Sequence, residues 1–289
     1  MLPDPLDSML RNFCVSANLI HSGPLCGVNT TPMSEGFGHV HIIQRGWADV
    51  RHEKLPALYV SEPTLLFYPR PLAHRFLTEE IAGANFLCTT VAFTAGRSNP
   101  IVQALPPLLV VPLADMPEIS ATLDLLMTEA SSDGYGRRTT IDRLFEVLVT
   151  LLLRKILADG TMSQGLLAGL GHPQLGKALV ALHEAPERAW TLGTLADVAG
   201  MSRSRFAQTF KATLGETVGE YVLGWRMGLA QQLLRSATPL KHVASKVGYG
   251  SPLALTRVFR THVGISPRAW LKNEGVIASQ TPGSHVLHA

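Results

Sequence analysis

The sequence predicts an α+β protein of two domains: a small N-terminal β-barrel with a helix pair, then an all-α domain with two helix-turn-helix units. A chain of 289 residues is long enough for two domains. Residues 12–111 contain short apolar runs broken by Gly and Pro, which is typical of a small barrel or jelly roll. From residue 112 the apolar residues follow a helical period.

These changes in composition and apolar periodicity predict the domain boundaries. Residues 1–158 form the barrel domain, beginning with a short amphipathic helix and ending with the helix pair. Residues 159–172, rich in Gly, Ser and Leu, form a linker. Residues 173–273 form the helical domain, and residues 274–289 a disordered tail.

The two halves of the chain carry opposite charge. Residues 1–171 hold 12 basic and 16 acidic residues, a net charge of −4, whereas residues 172–289 hold 13 and 6, a net charge of +7. The basic half is therefore the half suited to a polyanion such as double-stranded DNA.

Composition also bounds the compartment. No run of eighteen apolar residues occurs, and the N-terminus lacks the pattern of a signal peptide, so we expect a cytoplasmic protein without a membrane partner. Three cysteines, an odd number, argue against a secreted disulfide framework.

The first helix-turn-helix unit starts near Leu195. Leu195, Val198 and Ala199 share one helical face, and Gly200 ends the helix. Ser202 can cap the next helix. The predicted inward residues of that helix are Phe206 and Phe210, and the predicted outward ones are Arg203, Arg205, Gln208 and Lys211.

The second unit repeats this pattern after an amphipathic helix over residues 218–234. The turn Gly248-Tyr249-Gly250 precedes Ser251-Pro252, which starts a helix. Its predicted outward residues are Thr256, Arg257, Arg260 and His262. The side chains that we expect to contact DNA are Ser202, Arg203, Arg205, Gln208, Lys211, Ser251, Thr256, Arg257 and Arg260. The two helices would enter successive major-groove segments about 34 Å apart.

The stretch over residues 173–272 resembles the DNA-binding domain of the AraC family of transcription regulators. The matching pieces are Trp225-Arg226-Met227, Ala230, Leu233-Leu234, Val243-Ala244, Val247-Gly248-Tyr249, Phe259-Arg260 and Gly264-Ile265-Ser266-Pro267. The sequence departs from the family at Leu255, where an aromatic residue is usual, and at Leu271-Lys272, where Tyr-Arg is usual. The resemblance implies RNA polymerase as a partner.

Residues 15–95 resemble the cupin sensor domain of one AraC branch, which includes regulators of reactive-chlorine responses. The matching pieces are His41-Ile42-Ile43-Gln44-Arg45-Gly46, Leu65-Leu66-Phe67-Tyr68-Pro69-Arg70, Ala73-His74-Arg75 and Leu87-Cys88 before Phe93. By this resemblance, His41, His74 and Cys26 occupy sensor positions. They are candidate ligands of a transition metal such as zinc. Cys88 is the best candidate for a fourth ligand, and His21 the alternative.

Other residues of the same half leave several hypotheses open. Cys14, His39 and His52 belong to the same set of thiols and imidazoles. Oxidation of Cys26 or Cys88 could remove a metal ligand or form a disulfide, which makes both candidate redox residues. The barrel could instead bind a small organic effector among Trp47, Phe67, Tyr68 and Phe93.

Two further alternatives concern the helix pair and the activity. The pair includes the stripe Leu144, Phe145, Leu148, Leu152 and Ile156, and could form a homodimer interface or pack on its own barrel.

The chain could also be a metal-dependent cupin enzyme, with Glu35 or Asp49 completing a site of two histidines and a carboxylate. We expect a regulator rather than an enzyme, because the paired helix-turn-helix units explain the basic half.

Overall fold

The computed structural model describes residues 4–12, 15–31, 37–94, 99–160, 162 and 164–279. The chain divides into two compact units. The barrel unit contains the described parts of residues 14–97 and 105–155, and the helical unit contains those of residues 1–13, 98–104 and 156–279. Cys14 and Glu35 lie outside the described residues.

The barrel unit is built from two antiparallel sheets. Its strands are β1 (Val15–Leu25), β2 (Val28–Thr31), β3 (Gly38–Arg45), β4 (Ala48–His52), β5 (Leu58–Val60), β6 (Thr64–Tyr68), β7 (His74–Leu77), β8 (Ala84–Phe93) and β9 (Leu109–Pro112). The sheet orders are β1-β8-β3-β6-β9 and β2-β7-β4-β5. The prediction of a small cupin-like barrel is confirmed.

The first strand has a composition that is poor for a strand. β1 contains Gly23 and Pro24, which are depleted in strands. Among the described strands, β1 lies at one end of its sheet and pairs only with β8. An edge strand tolerates proline, because one side of its backbone has no ladder to join.

The helices of the chain are numbered in order. They are α1 (Pro5–Asn12), α2 (Pro100–Ala104), α3 (Ser120–Ala130), α4 (Arg137–Asp159), α5 (Leu166–Gly171), α6 (Leu175–Glu184), α7 (Leu192–Ala199), α8 (Arg203–Leu214), α9 (Val218–Arg235), α10 (Leu240–Lys246), α11 (Pro252–Val263) and α12 (Pro267–Ser279). Two 3-10 turns, Leu113–Asp115 and Pro117–Ile119, precede α3. None of the described helices is long and apolar enough to cross a membrane.

Three helices depart from the predicted boundaries. α1 belongs to the helical unit, where Arg11 pairs with Glu184 of α6 at 3.2 Å. α5 occupies part of the predicted linker and buries three leucines, Leu166, Leu167 and Leu170. The backbone stays helical to Ser279, so the end of α12 lies within the predicted tail.

The helix pair of the barrel unit is buried on one side. α4 buries Phe145, Leu148 and Leu152, and Asp142 accepts a hydrogen bond from the backbone N–H of Leu19 at 2.9 Å. Val147 on the same helix is 47% exposed. This arrangement favours packing of the pair on its own barrel, and the homodimer stays a prediction.

The core of the helical unit contains a buried histidine. His183 of α6 is 1% exposed; its Nε2 lies 2.7 Å from the Tyr221 hydroxyl, and its ring stacks on Trp225 with centroids 3.5 Å apart. Burial lowers the pKa of His183 to about 3. The folded state therefore keeps this imidazole neutral at pH values where the unfolded chain, with a pKa near 6.5, binds a proton.

We expect His183 to make the helical unit sensitive to acid. Because its pKa is lower in the folded state, stability is present above pH 6.5 and is lost as the pH falls from there towards 3, by up to about 1.4 kcal/mol per pH unit. Between pH 7 and pH 5, the free energy of unfolding should therefore fall less in His183→Gln than in the wild type, as measured by urea denaturation. The matched control is His242→Gln, at an exposed position on α10. Equal losses in both variants and the wild type would contradict this assignment.

Candidate nucleic-acid interface and the barrel histidine cluster

The first helix-turn-helix unit comprises α7 and α8. α7 begins with a capping box formed by Thr191 and Thr194, and it ends at Gly200, which adopts a left-handed conformation at φ 65°. The Ser202 hydroxyl accepts a hydrogen bond from the Arg205 N–H at 3.4 Å and starts α8. The turn between the helices therefore forms as predicted, although Val198 is 37% exposed and not part of the buried face.

The second unit, α10 and α11, uses the same signals. The Ser251 hydroxyl accepts from the Ala254 N–H at 3.1 Å, Pro252 is the first residue of α11, and Gly264 ends it at φ 89°. α8 and α11 are each 12 residues long, and each starts at a serine cap and ends at a left-handed glycine. The structure therefore contains two matching helices in the positions of recognition helices.

Both helices bury two large apolar residues and expose their cations. α8 buries Phe206 and Phe210, and α11 buries Leu255 and Phe259. The exposed side chains include the predicted contact residues Arg203, Arg205, Gln208 and Lys211 on α8, with Arg257 and Arg260 on α11; His262, also predicted to face outward, is exposed as well. The ion pairs found among the described residues involve none of these cations. Their charge is available for phosphates or base edges.

Three of the predicted contact residues have local partners. Ser202 and Ser251 use their hydroxyls as caps, as described above. Thr256 is half-buried, and its hydroxyl donates to the Pro252 carbonyl at 2.8 Å. These three side chains are weaker candidates for base contacts than the exposed arginines, because each hydroxyl is already used within its own helix.

Strand alternation places a cluster of imidazoles inside the barrel. His39 and His41 of β3 and His74 of β7 are all buried, and their ring centroids lie 4.9–5.7 Å apart. The Tyr68 ring stacks on His74 at 4.2 Å, and its hydroxyl lies 2.9 Å from Nε2 of half-buried His52. Sequence analysis gave Tyr68 no role in this cluster, although its position in β6 has the parity needed to face it.

The hydrogen bonds around His74 fix which nitrogens carry protons. Nδ1 of His74 lies 2.7 Å from the Leu72 carbonyl oxygen, which only accepts, so Nδ1 carries the proton and Nε2 holds a lone pair. Nε2 of His41 lies 2.9 Å from Nε2 of His74 and must therefore donate to it. Nδ1 of His41 then carries a lone pair, and it is buried without a hydrogen-bond partner among the described residues.

Burial keeps these imidazoles neutral. It lowers the pKa of His39 to about 4 and that of His74 to about 3. The pKa of His41 is well below its usual value, first because of burial and then because of the neighbouring imidazoles. Neutral imidazole is the form that binds a metal ion.

The two described cysteines lie in different surroundings. Cys88 of β8 pairs with His41 of β3 in the ladder, so the two side chains share the barrel-facing side, and burial raises the pKa of the Cys88 thiol. Cys26 is exposed, with Sγ 3.6 Å from the Ile81 carbonyl oxygen. Leu25, next to Cys26, pairs with Ala84, four residues along β8 from Cys88. That separation is about 13 Å along the strand.

The structure thus brings His41, His74 and Cys88 into one barrel interior but leaves Cys26 outside it. His21, predicted as the alternative to Cys88, pairs with Cys88 through β1 and therefore lies nearer to the cluster than Cys26. Among the described residues, no three His, Cys, Asp or Glu side chains are placed to hold one metal ion. A direct disulfide between Cys26 and Cys88 would require the backbone to move, because bonded cysteines have Cα atoms within about 7 Å.

The residues predicted for a metal-dependent enzyme and for an organic effector pocket do not converge on one site. Asp49 pairs with Arg51, with Oδ1 2.9 Å from Nε, and lies between the buried Ala48 and Val50, so it points away from the barrel interior. It is therefore not placed as the carboxylate of a catalytic metal site. Phe67 packs on Phe93, on the face of β6 opposite to Tyr68.

The last of the four proposed pocket aromatics, Trp47, stacks on Tyr59 at 6.0 Å, and both rings are exposed. The hypothesis of one aromatic effector pocket is therefore wrong, because its four residues do not meet in one place. These residues are Trp47, Phe67, Tyr68 and Phe93. The error came from treating neighbouring strand residues as if they shared a face.

Family models match both parts of the chain. A cupin family model matches residues 4–158, and a helix-turn-helix domain model matches residues 195–273. An AraC-like transcription regulator of Streptomyces lividans is 36% identical over 180 residues, which cover 60% of this chain and 58% of that protein. The chain thus spans a little under three fifths of the length of this curated relative.

Two further comparisons cover different parts of the chain. RclR of Escherichia coli, named as an RCS-specific transcriptional activator, is 24% identical over 78% of this chain and 81% of its own length. The solved DNA-binding domain of AdpA in complex with a target DNA is 30% identical, covers 37% of this chain and 97% of that chain, and has a TM-score of 0.34.

Proposed function

Because the chain belongs to the cupin family and carries an AraC-type helix-turn-helix domain, we propose that it is a transcription regulator that binds double-stranded DNA through α8 and α11. The observation that carries this proposal is the pair of matching capped helices with exposed, unpaired cations. The names of the curated relatives, which are transcription regulators, favour this function over the metal-dependent enzyme. RNA polymerase as a partner stays a prediction of the resemblance.

Arg205 and Arg257 provide the test of this interface, one on each recognition helix. Replacing either by alanine should cost about 1–3 kcal/mol of binding free energy if it contacts a base. If it contacts a phosphate instead, binding to all duplexes should weaken and the salt dependence should flatten. The probe is a duplex selected by the wild-type protein from a random-sequence pool, and binding is measured by fluorescence anisotropy over a range of salt.

The matched control is Arg138→Ala, which removes an exposed arginine from α4 of the barrel unit. We expect it to leave affinity for the selected duplex unchanged. Wild-type affinity in both Arg205→Ala and Arg257→Ala would refute the assignment of α8 and α11 to DNA.

We propose further that the barrel interior is the sensor site and that His41 and His74 are its first two transition-metal ligands, for zinc or a similar ion. Three features support the fit: the imidazoles are neutral, their Nε2 atoms lie 2.9 Å apart, and the Leu72 carbonyl orients His74 in the way that hydrogen-bond partners orient metal-bound histidines. A metal ion bound here would replace the Nε2 proton of His41, which would then be carried on Nδ1. Cys88 is the candidate third ligand. A bound metal would hold its thiolate, which burial alone disfavours.

Metal binding should depend on this pair. We expect the reduced wild-type chain to take up about one equivalent of zinc, measured by dialysis and elemental analysis. His41→Gln and His74→Gln should each lower the affinity for zinc at least tenfold, since losing only a hydrogen-bond partner of a metal-bound histidine already costs about 10–100-fold. The control is His242→Gln on α10. Wild-type zinc uptake by His74→Gln, or none by the wild type, would exclude this site.

The cysteines supply a separate proposal, that an oxidant is the signal. It rests on the resemblance to the branch that contains RclR. Cys26 is the exposed thiol and should react first, whereas Cys88 is buried with a raised pKa and should react slowly.

We expect hypochlorite to change the affinity of the wild-type chain for the selected duplex and Cys26→Ser to abolish the fast part of that change. Binding is measured before and after treatment, with thiol oxidation followed by mass spectrometry. Unchanged affinity in wild-type protein whose thiols are shown to be oxidised would rule out an oxidant signal.

A further inference from the structure

One arginine of the connecting helix α9 contacts the segment that leads into the first helix-turn-helix unit. Nε of Arg226 donates to the Pro186 carbonyl at 2.8 Å, and Nη2 donates to the Arg188 carbonyl at 2.8 Å. Both carbonyls belong to the loop that joins α6 to α7. The planar guanidinium thus holds this loop through two donors in a fixed geometry.

The same guanidinium meets the turn of the second unit. Its central carbon lies 5.8 Å from the centre of the Tyr249 ring, which is within the range of a cation–π contact. Gly248, at φ 79°, lies so close that an added Cβ would be 2.8 Å from Nη2 of Arg226 and 2.8 Å from the Glu187 carbonyl oxygen. The turn between α10 and α11 therefore packs directly against Arg226 and the α6–α7 loop.

Apart from these contacts, the two helix-turn-helix units have separate sets of core residues. The core of the second unit includes residues from α9, α10, α11 and α12, whereas Phe210 of α8, which packs on Phe206, contacts Tyr221 near the start of α9. Helix α9 is thus common to both cores, and its Arg226 hydrogen-bonds the α6–α7 loop on one side and contacts the Tyr249 ring of the second unit on the other.

We propose that Arg226 is a positioning residue that fixes α11 relative to α8, so that the two helices fit one spacing of major-groove segments. This inference rests on the proposed function. Linking two binding modules in a fixed geometry makes the second contact intramolecular, which raises overall affinity without any new contact. Loss of the Arg226 contacts should lower the affinity for a complete DNA site and leave the contacts of each helix with its own half-site intact.

The binding test uses the full chain and a duplex selected by the wild type from a random-sequence pool. Shorter duplexes carry one half-site each, and further duplexes have one or two base pairs inserted between the halves. We expect Arg226→Gln to bind the complete duplex about tenfold more weakly. It should bind each half-site duplex like the wild type and lose most of the wild-type preference for the original spacing.

Two variants separate geometry from charge. Arg226→Lys keeps the positive charge but lacks the planar fork, so it should behave like Arg226→Gln. Arg138→Gln, an exposed arginine of α4, removes the same charge elsewhere and should behave like the wild type. Full recovery in Arg226→Lys, or an equal loss on half-site and complete duplexes, would overturn the proposal.

A measurement without DNA tests the positioning role of Arg226 separately from the proposed function. Spin labels attached through non-natural amino acids at exposed Ala212 of α8 and Thr261 of α11 report the distance between the two helices. Arg226→Gln should broaden that distance distribution while circular dichroism shows that the helices remain. An unchanged distribution would disprove the positioning role. If the wild type selects no duplex, the DNA-binding function fails instead, and the distance measurement still decides the role of Arg226.

Discussion

Helix α9 must be buried on two sides at once, and the helical unit depends on that constraint. Tyr221 and Trp225, in its first half, pack with His183 and Phe210, while Met227 to Leu234 complete the core of the second unit. A helix with two buried faces cannot shift to suit one unit without disturbing the other. The orientation of both recognition helices is therefore determined by packing as well as by the polar contacts at their ends.

The helical unit could be predicted in detail because its signals are local. Ser202, Gly200, Ser251 and Gly264 each determine a helix end through a cap or a left-handed residue, and these act within one turn of the chain. The role of Arg226 could not be predicted, because its carbonyl partners are 40 and 38 residues away in sequence. Nothing in the local pattern specifies such a distant partner.

The barrel was predictable only as a class. Its histidines were identified, but the register of β3 with β8 and β6 decides that His41 lies opposite Cys88 and Leu66, and His74 reaches the cluster from β7 in the other sheet. The register of β1 with β8 separates Cys26 from the cluster, because it places the neighbouring Leu25 opposite Ala84. A shift of one residue would move every side chain of a strand to the other face, so the set of residues that face the barrel interior follows from strand pairing rather than from residue type.

The edge position of β1 has a consequence for solubility. An unpaired strand edge can recruit a strand from another molecule and so start aggregation. Pro24 has no N–H to offer, and Gly23, at φ 136°, departs from regular strand geometry beside it. An incoming chain would lose a ladder hydrogen bond at this point, so the two residues that weaken β1 as a strand also make this edge a poor template for intermolecular sheet growth.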